Sequence, residues 1–164
     1  MTNPKNLNDL QWQCTSFAEL SNLQLHAIYQ ARSAVFVIEQ NCVYQDVDGK
    51  DPLSHHLTAW TPEGEVAAYL RIVPAGISFD EASLGRVIST QEWRGTGVGK
   101  QLIANGIKAL HALYPGAPVR IGAQAYLEKF YGSFGFETVS DIYLEDDIPH
   151  IEMLLVAKAR LNRL

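Results

Sequence analysis

Ser89-Thr90-Gln91-Glu92-Trp93-Arg94-Gly95-Thr96-Gly97-Val98-Gly99-Lys100 places three glycines within residues 95–99. Upstream, Leu84-Gly85-Arg86-Val87-Ile88 is an apolar run of strand length. Downstream, Val98, Leu102, Ile103, Ile107, Leu110 and Leu113 recur at three- and four-residue spacing, which predicts an amphipathic helix. A strand therefore ends in a glycine-rich turn that opens a helix. Backbone N–H groups in such a turn point outward, and the helix dipole adds partial positive charge, so the turn suits phosphate or pyrophosphate. Glycine fits because a β-carbon would hold the ligand off and forbid left-handed backbone angles. The P-loop pattern G-x-x-x-x-G-K-[ST] fails, because Arg94 and Gln101 stand where glycine and Ser/Thr are needed. The dinucleotide pattern G-x-G-x-x-G fails at Lys100. What fits is an arginine followed by alternating glycines, Arg94 through Gly99. A connector that binds nothing is the plain alternative for the motif by itself.

The 164 residues suffice for one domain, read over 1–164, with a real core. Apolar residues make up 47% and charged residues 19%, a globular balance. A net charge of -5 argues against a nucleic-acid surface. Cys14 and Cys42 make no disulfide framework. The segment Met1-Thr2-Asn3-Pro4-Lys5-Asn6 has no apolar signal core, and no run is long enough to span a membrane. The expectation is a cytoplasmic protein with neither membrane nor nucleic-acid partners, for which a homodimer is compatible with the composition.

Leu10 to Phe17 alternates and reads as a strand. Ser21 with Gln24 makes a capping box, and Leu20 with Leu25 a hydrophobic staple, for a helix running through Phe36 to about Glu39. Seven-residue spacing puts Arg32 and Glu39 on one helical face, where a local ion pair is expected. Residues 40–52 are polar and turn-rich, hence a loop. Its Asp46, Asp48 and Asp51 are expected to be solvated, or to form a rim that attracts cations. They do not make a calcium loop, since Leu57 stands where the twelfth-position Glu belongs. His56 to Trp60 and Glu65 to Val73 flank a turn and predict a hairpin. Gly106 inside the second helix points to close packing there. Val119 to Ala123 is a strand, Tyr126 to Phe134 a short helix, Phe136 to Val139 a strand, and His150 to Val156 the last strand. The acidic stretch Glu145-Asp146-Asp147 is expected to connect the last two. The strand–helix–strand unit from Leu84 to Ala123 implies one parallel pair with a right-handed crossover among antiparallel hairpins.

The glycine turn resembles the acyl-CoA-binding motif of the GNAT superfamily of N-acetyltransferases. A second anchor lies in Ala125-Tyr126-Leu127-Glu128-Lys129-Phe130-Tyr131-Gly132-Ser133-Phe134-Gly135-Phe136, which is similar to that superfamily's A-x-x-x-x-[FL]-Y-x-x-x-G-F segment. Val35 to Gln45, Gly122 to Ala125, and Glu145 to Ile151 look like the ElaA-like branch. Gln91 departs from the superfamily's frequent proline, and Gln124 from its frequent asparagine. The resemblance implies an α/β fold with a mixed, mostly antiparallel sheet, a central parallel pair splayed for CoA, and helices on both faces.

It also implies chemistry: acetyl transfer from acetyl-CoA to a primary amine by direct attack. An alkylammonium, with a reference pKa of about 10.4, must first lose a proton. The attack forms an oxyanion that needs N–H donors, and the CoA thiolate then leaves. By the resemblance, Gly95, Thr96, Gly97, Val98, Gly99 and Lys100 hold the pyrophosphate, and Arg94 orients the turn or touches phosphate. Val87, Ile88 and Ser89 run beside the pantetheine arm, with a backbone N–H as oxyanion donor. Gln124 hydrogen-bonds the arm, Phe130 packs on it, and Tyr131 is the general acid for the thiolate. The base stays open among Glu39, His56, Glu145, His150 and water. The acidic segments suggest a cationic acceptor, a small molecule or a peptide amine. A non-catalytic acyl-CoA-binding regulatory module on the same fold, or an interaction domain with no ligand, is the competing reading; no metal is expected.

Overall fold

The computed structural model describes residues 4–156; residues 1–3 and 157–164, and with them the outer ends of the single-domain reading and the first residues of the N-terminal segment, lie outside it. The capping box forms as the spacing predicts. Ser21 Oγ accepts from the Gln24 N–H at 3.1 Å, and Gln24 Oε1 accepts from the Ser21 N–H at 3.0 Å. It starts α1 (Asn22–Arg32). The helix does not continue as an α-helix to Glu39. From Ser33–Glu39 it widens into a π-helix, with the Gln40 N–H donating to Val35 O at 3.1 Å. Such wide turns are rare and gather at functional sites.

β1 (Gln11–Ser16), β2 (His55–Trp60), β3 (Val66–Val73) and β4 (Ser83–Ser89) form one antiparallel sheet in that order. Every residue of β3 is buried, because helices cover both of its faces. Tyr69 and Val66 join Ile28 of α1, Val35, Trp60 and Ile88 on one side. Leu70 and Ile72 join Leu102, Ile103 and Leu110 on the other. Those last three belong to α2 (Val98–Leu113), the predicted amphipathic helix. Gly106 lets α2 close on β3: a β-carbon there would stand 2.7 Å from Leu70 Cδ2.

A second antiparallel sheet holds β5 (Val119–Gln124), β6 (Glu137–Thr138), β7 (Tyr143–Glu145) and β8 (Ile148–Leu155), with α3 (Glu128–Gly132) between β5 and β6. β7 takes the place of part of the expected acidic connection. Glu145 pairs with Ile148, so Asp146 and Asp147 form a two-residue hairpin turn with φ of 50 and 62°. Turns of this left-handed kind favour glycine, and Asp-Asp gives little sequence sign of one. The expected parallel pair exists but is short. Ala82, just before β4, meets Val119 of β5 at a single parallel bridge, backed by the Arg120 N–H donating to Ala82 O at 2.9 Å. Beyond it the two strands diverge into separate sheets, which is the splay the fold class calls for.

Candidate active site

The glycine turn leaves β4 at the open end of this divergence. Gly95 and Gly97 adopt φ of 77 and 91°, a region closed to most side-chain-bearing residues. Thr96 Oγ donates to Trp93 O and accepts from the Val98 N–H, which pins the turn from beneath. The N–H groups of Gly95, Thr96, Gly97, Gly99 and Lys100 have no hydrogen-bond partner among the described residues. The turn stands at the surface rather than under other side chains. Unpaired amides at the N-terminus of a 16-residue helix make a ready anion cradle. Arg94 works on the turn itself: its Nε donates to Ser89 O at 3.1 Å and its Nη2 to Glu39 Oε2 at 2.6 Å. Gly97→Ala forces a β-carbon into the left-handed region and disturbs the aim of these amides. It is expected to weaken acyl-CoA binding at least tenfold in calorimetry, with the fold retained.

Between the diverging strands opens a cleft of about 430 Å³. Gly85, Arg86 and Val87 of β4 form one wall and Gly122, Ala123 and Gln124 of β5 the other. Tyr131 of α3 reaches it, as do Glu145 and His150 from the β7–β8 hairpin and Phe36 and Gln40 from the π-helix and its end. The β4 wall carries a β-bulge. Tyr69 faces Ile88 and Arg71 faces Gly85, so Arg86 and Val87 together oppose one residue of β3. Arg86 takes φ of 50° to do this. A bulge interrupts the ladder and re-aims backbone and side chains.

The acetyltransferase (GNAT) domain family matches residues 25–157 of the chain. The protein ElaA of Escherichia coli K12 is 44% identical over 146 residues, covering 88% of this chain and 95% of ElaA. An acyl-CoA N-acyltransferase of Pseudomonas aeruginosa superposes with a TM-score of 0.86 at 43% identity, covering 90% of this chain and 99% of the other. The E. coli ElaA crystal structure does so at 0.84 and 42%, covering 89% and 99%. This chain belongs to the GNAT acetyltransferase family.

Within that GNAT frame the residues expected at the site separate. Val87 and Gln124 line the cleft. Ile88 turns its side chain the other way, into the core with Ile28 and Tyr69. Ser89 closes β4, its carbonyl holding Arg94 and its Oγ lying 3.7 Å from where a β-carbon on Gly99 would be. Lys100 is exposed beside the turn. Phe130 stands outside the cleft, packed edge-on against Tyr131 and Phe134 with ring centroids at 5.2 and 5.4 Å. Tyr131 is only 7% exposed, yet its hydroxyl has no protein partner among the described residues and is not sealed from solvent. Burial, with a smaller contribution from Tyr126, pushes this phenol up to about 12, so it stays protonated across the working range.

Of the four candidate bases, two reach the cleft. His56 is fully buried. Its Nε2–H donates to Asp51 O at 2.9 Å, so Nδ1 accepts from the Tyr69 hydroxyl at 2.6 Å, and burial lowers its pKa. Glu39 is spent on Arg94, beside a separate groove. His150 and Glu145 remain. His150 Nδ1–H donates to Ile148 O at 2.7 Å, which assigns the tautomer and leaves Nε2 a free acceptor, 3.7 Å from Glu145 Oε2. The ring stacks on Tyr143 at 5.9 Å.

The aspartates of loop 40–52 are engaged by arginines, with Asp46 and Asp51 buried and Asp48 partly exposed. Asp51 Oδ1 accepts from Arg32 Nη1 at 2.8 Å and from Arg71 Nη1 at 3.0 Å. Asp46 Oδ2 accepts from Arg32 Nε at 3.0 Å. Asp48 takes Arg71 at 2.6 and 3.0 Å and Arg86 at 3.3 Å. Arg86 Nε lies 2.8 Å from Asp46 Oδ1 but off the N–H line, an ion pair rather than a hydrogen bond. Their oxygens are occupied by guanidinium groups, so neither a cation-attracting rim nor a calcium loop is built from them. The expected Arg32–Glu39 pair is likewise absent: Arg32 points inward to Asp46 and Asp51, and the π-helix breaks the seven-residue register that would align it with Glu39. The network grips α1, β3 and the bulge of β4 together, with Arg86 flanked by Tyr44 and Phe36 rings at 5.4 and 5.9 Å. Its one sequence sign is an arginine in each of two mainly apolar strands, Arg71 in β3 and Arg86 in β4, since a buried arginine needs a carboxylate.

Proposed function

We propose that the protein is an acetyl-CoA-dependent N-acetyltransferase acting on a primary amine. The observation that carries this is the set of unpaired amides at Gly95, Thr96, Gly97, Gly99 and Lys100, in the turn that follows β4, the strand that walls the cleft holding Tyr131 and His150. The amides bind the pyrophosphate of acetyl-CoA, and the pantetheine arm enters between β4 and β5, where Val87 and Gln124 lie. Bound there, acetyl-CoA supplies an activated acetyl group. His150 Nε2 takes the proton from the acceptor's ammonium, and Glu145 supports the imidazolium. A main-chain N–H at the Arg86–Val87 bulge faces the oxyanion. Tyr131 hands the departing sulfur its proton. The carbon–sulfur bond breaks as the amide forms, solvent takes the second proton that the acceptor nitrogen loses, and the phenolate left behind, a stronger base than an ordinary thiolate at about 8.5, is reprotonated from solvent.

Thiol release from acetyl-CoA across an amine panel tests the assignment. Tight CoA binding without turnover on any amine would instead make the protein a non-catalytic acyl-CoA-binding module. His150→Gln is expected to lower kcat/KM by about 10²-fold, with CoA affinity unchanged. A kcat/KM close to that of the wild type would pass the role of base to Glu145 or water.

A further inference from the structure

The cleft is charged in an uneven way. Where loop 40–52 meets it, three guanidinium groups face three carboxylates, and their charges cancel. Lys50 is surplus to this balance. It lines the cleft, its Nζ donates to Ser78 Oγ at 3.1 Å, and it makes no ion pair among the described residues. Beside it, Arg71 is 3% exposed, and its Nε–H has no partner among the described residues. The β4 residue covering that atom is Gly85: a β-carbon there would sit 3.9 Å from Arg71 Nε. Glycine keeps this wall of the cleft thin, and the Arg71 side chain lies buried directly behind it. The other border is the β7–β8 turn, where Glu145 and Asp146 bring carboxylates beside His150.

From this we infer that the acceptor is a small aminocarboxylate, its carboxylate held by Lys50 with Arg71 behind it and its ammonium turned toward Glu145, Asp146 and His150. The inference rests on the transferase reading and narrows it. A lysine left without a counter-ion in a cleft attracts an anion, and the acetyl donor's phosphates are provided for at residues 95–100. A simple diamine would place a second ammonium against Lys50.

The test compares matched acceptors: glycine, β-alanine, 4-aminobutyrate and lysine against the same amines without the carboxylate. The wild-type protein is expected to favour the carboxylate-bearing member at least tenfold in kcat/KM. Lys50→Gln is expected to erase that preference through KM, with the acetyl-CoA dissociation constant unchanged. Lys50→Arg restores most of it, and Lys108→Gln, an exposed lysine of α2, keeps it. Equal or better rates on the carboxylate-free amines, or a preference that survives Lys50→Gln, would overturn the inference. If no amine is acetylated, the transferase reading fails separately. Thermal stabilisation by N-acetyl-β-alanine then decides: a shift in wild type that Lys50→Gln loses supports the site, and no shift in the wild type removes it.

Discussion

Tyr131→Phe should lower kcat by about 10²-fold or more and leave the affinity for acetyl-CoA almost unchanged. The substitution deletes one oxygen from a ring otherwise packed on Phe130 and Phe136. The hydroxyl makes no hydrogen bond within the described protein, so its removal leaves no orphaned partner and the fold should tolerate it. A fall in kcat with the binding constant preserved separates chemistry from positioning. Because burial holds the phenol near 12, Tyr131 contributes no basic limb to the pH profile below that range. Single-turnover thiol release with calorimetric CoA titration would read both quantities. A kcat within threefold of wild type would remove Tyr131 from the chemistry.

Asp51→Ala is expected to cost about 3–5 kcal/mol, since it removes the carboxylate that two buried arginines, Arg32 and Arg71, share. Arg32 and Asp51 are both fully buried, so no water takes over the lost contact. For a domain of this size that corresponds to a melting temperature roughly 6–20 °C lower, readable by calorimetry. A drop of less than about 2 °C would mean that the network does not hold the fold. The same network makes the protein acid-sensitive. Burial alone would raise Asp48, but Arg71, the Lys50 amide and Arg86 outweigh it and hold it at about 2. Asp51 is likewise lowered, by Arg32 and Arg71 against its own burial. A depressed carboxylate stabilises the fold above its unfolded value and loses that stabilisation as pH falls through the folded one. Stability should therefore decline from about pH 4 toward pH 2. His56 adds an earlier loss. It is kept neutral by burial, so the unfolded chain binds its proton first, and stability begins to fall below about pH 6.5.

The strand, turn and helix from Leu84 to Leu113 and the Ala125–Phe136 segment were legible because their physics is local. Apolar spacing selects the elements, and glycine at 95 and 97 is demanded by backbone angles within a few residues. The Ser21 capping box is local in the same sense. From these alone came the strand–helix–strand unit and the anion cradle, whereas Tyr131 was singled out only by the resemblance to the GNAT motif. The π-helix, the Asp146–Asp147 turn and the bulge at Arg86 were not legible, because each trades a local preference for packing or pairing elsewhere. The fate of the charges was the least legible part. Spacing alone paired Arg32 with Glu39 and left three loop aspartates in water. Only the tertiary structure brought Arg32, Arg71 and Arg86 from three elements against Asp46, Asp48 and Asp51, gave Glu39 to Arg94, buried His56 and left His150 and Lys50 at the cleft. The physical reason is range: backbone angles and apolar periodicity are set by neighbours in the chain. A charge is matched instead to whatever counter-charge the folded core carries within a few ångströms, and sequence distance says nothing about that.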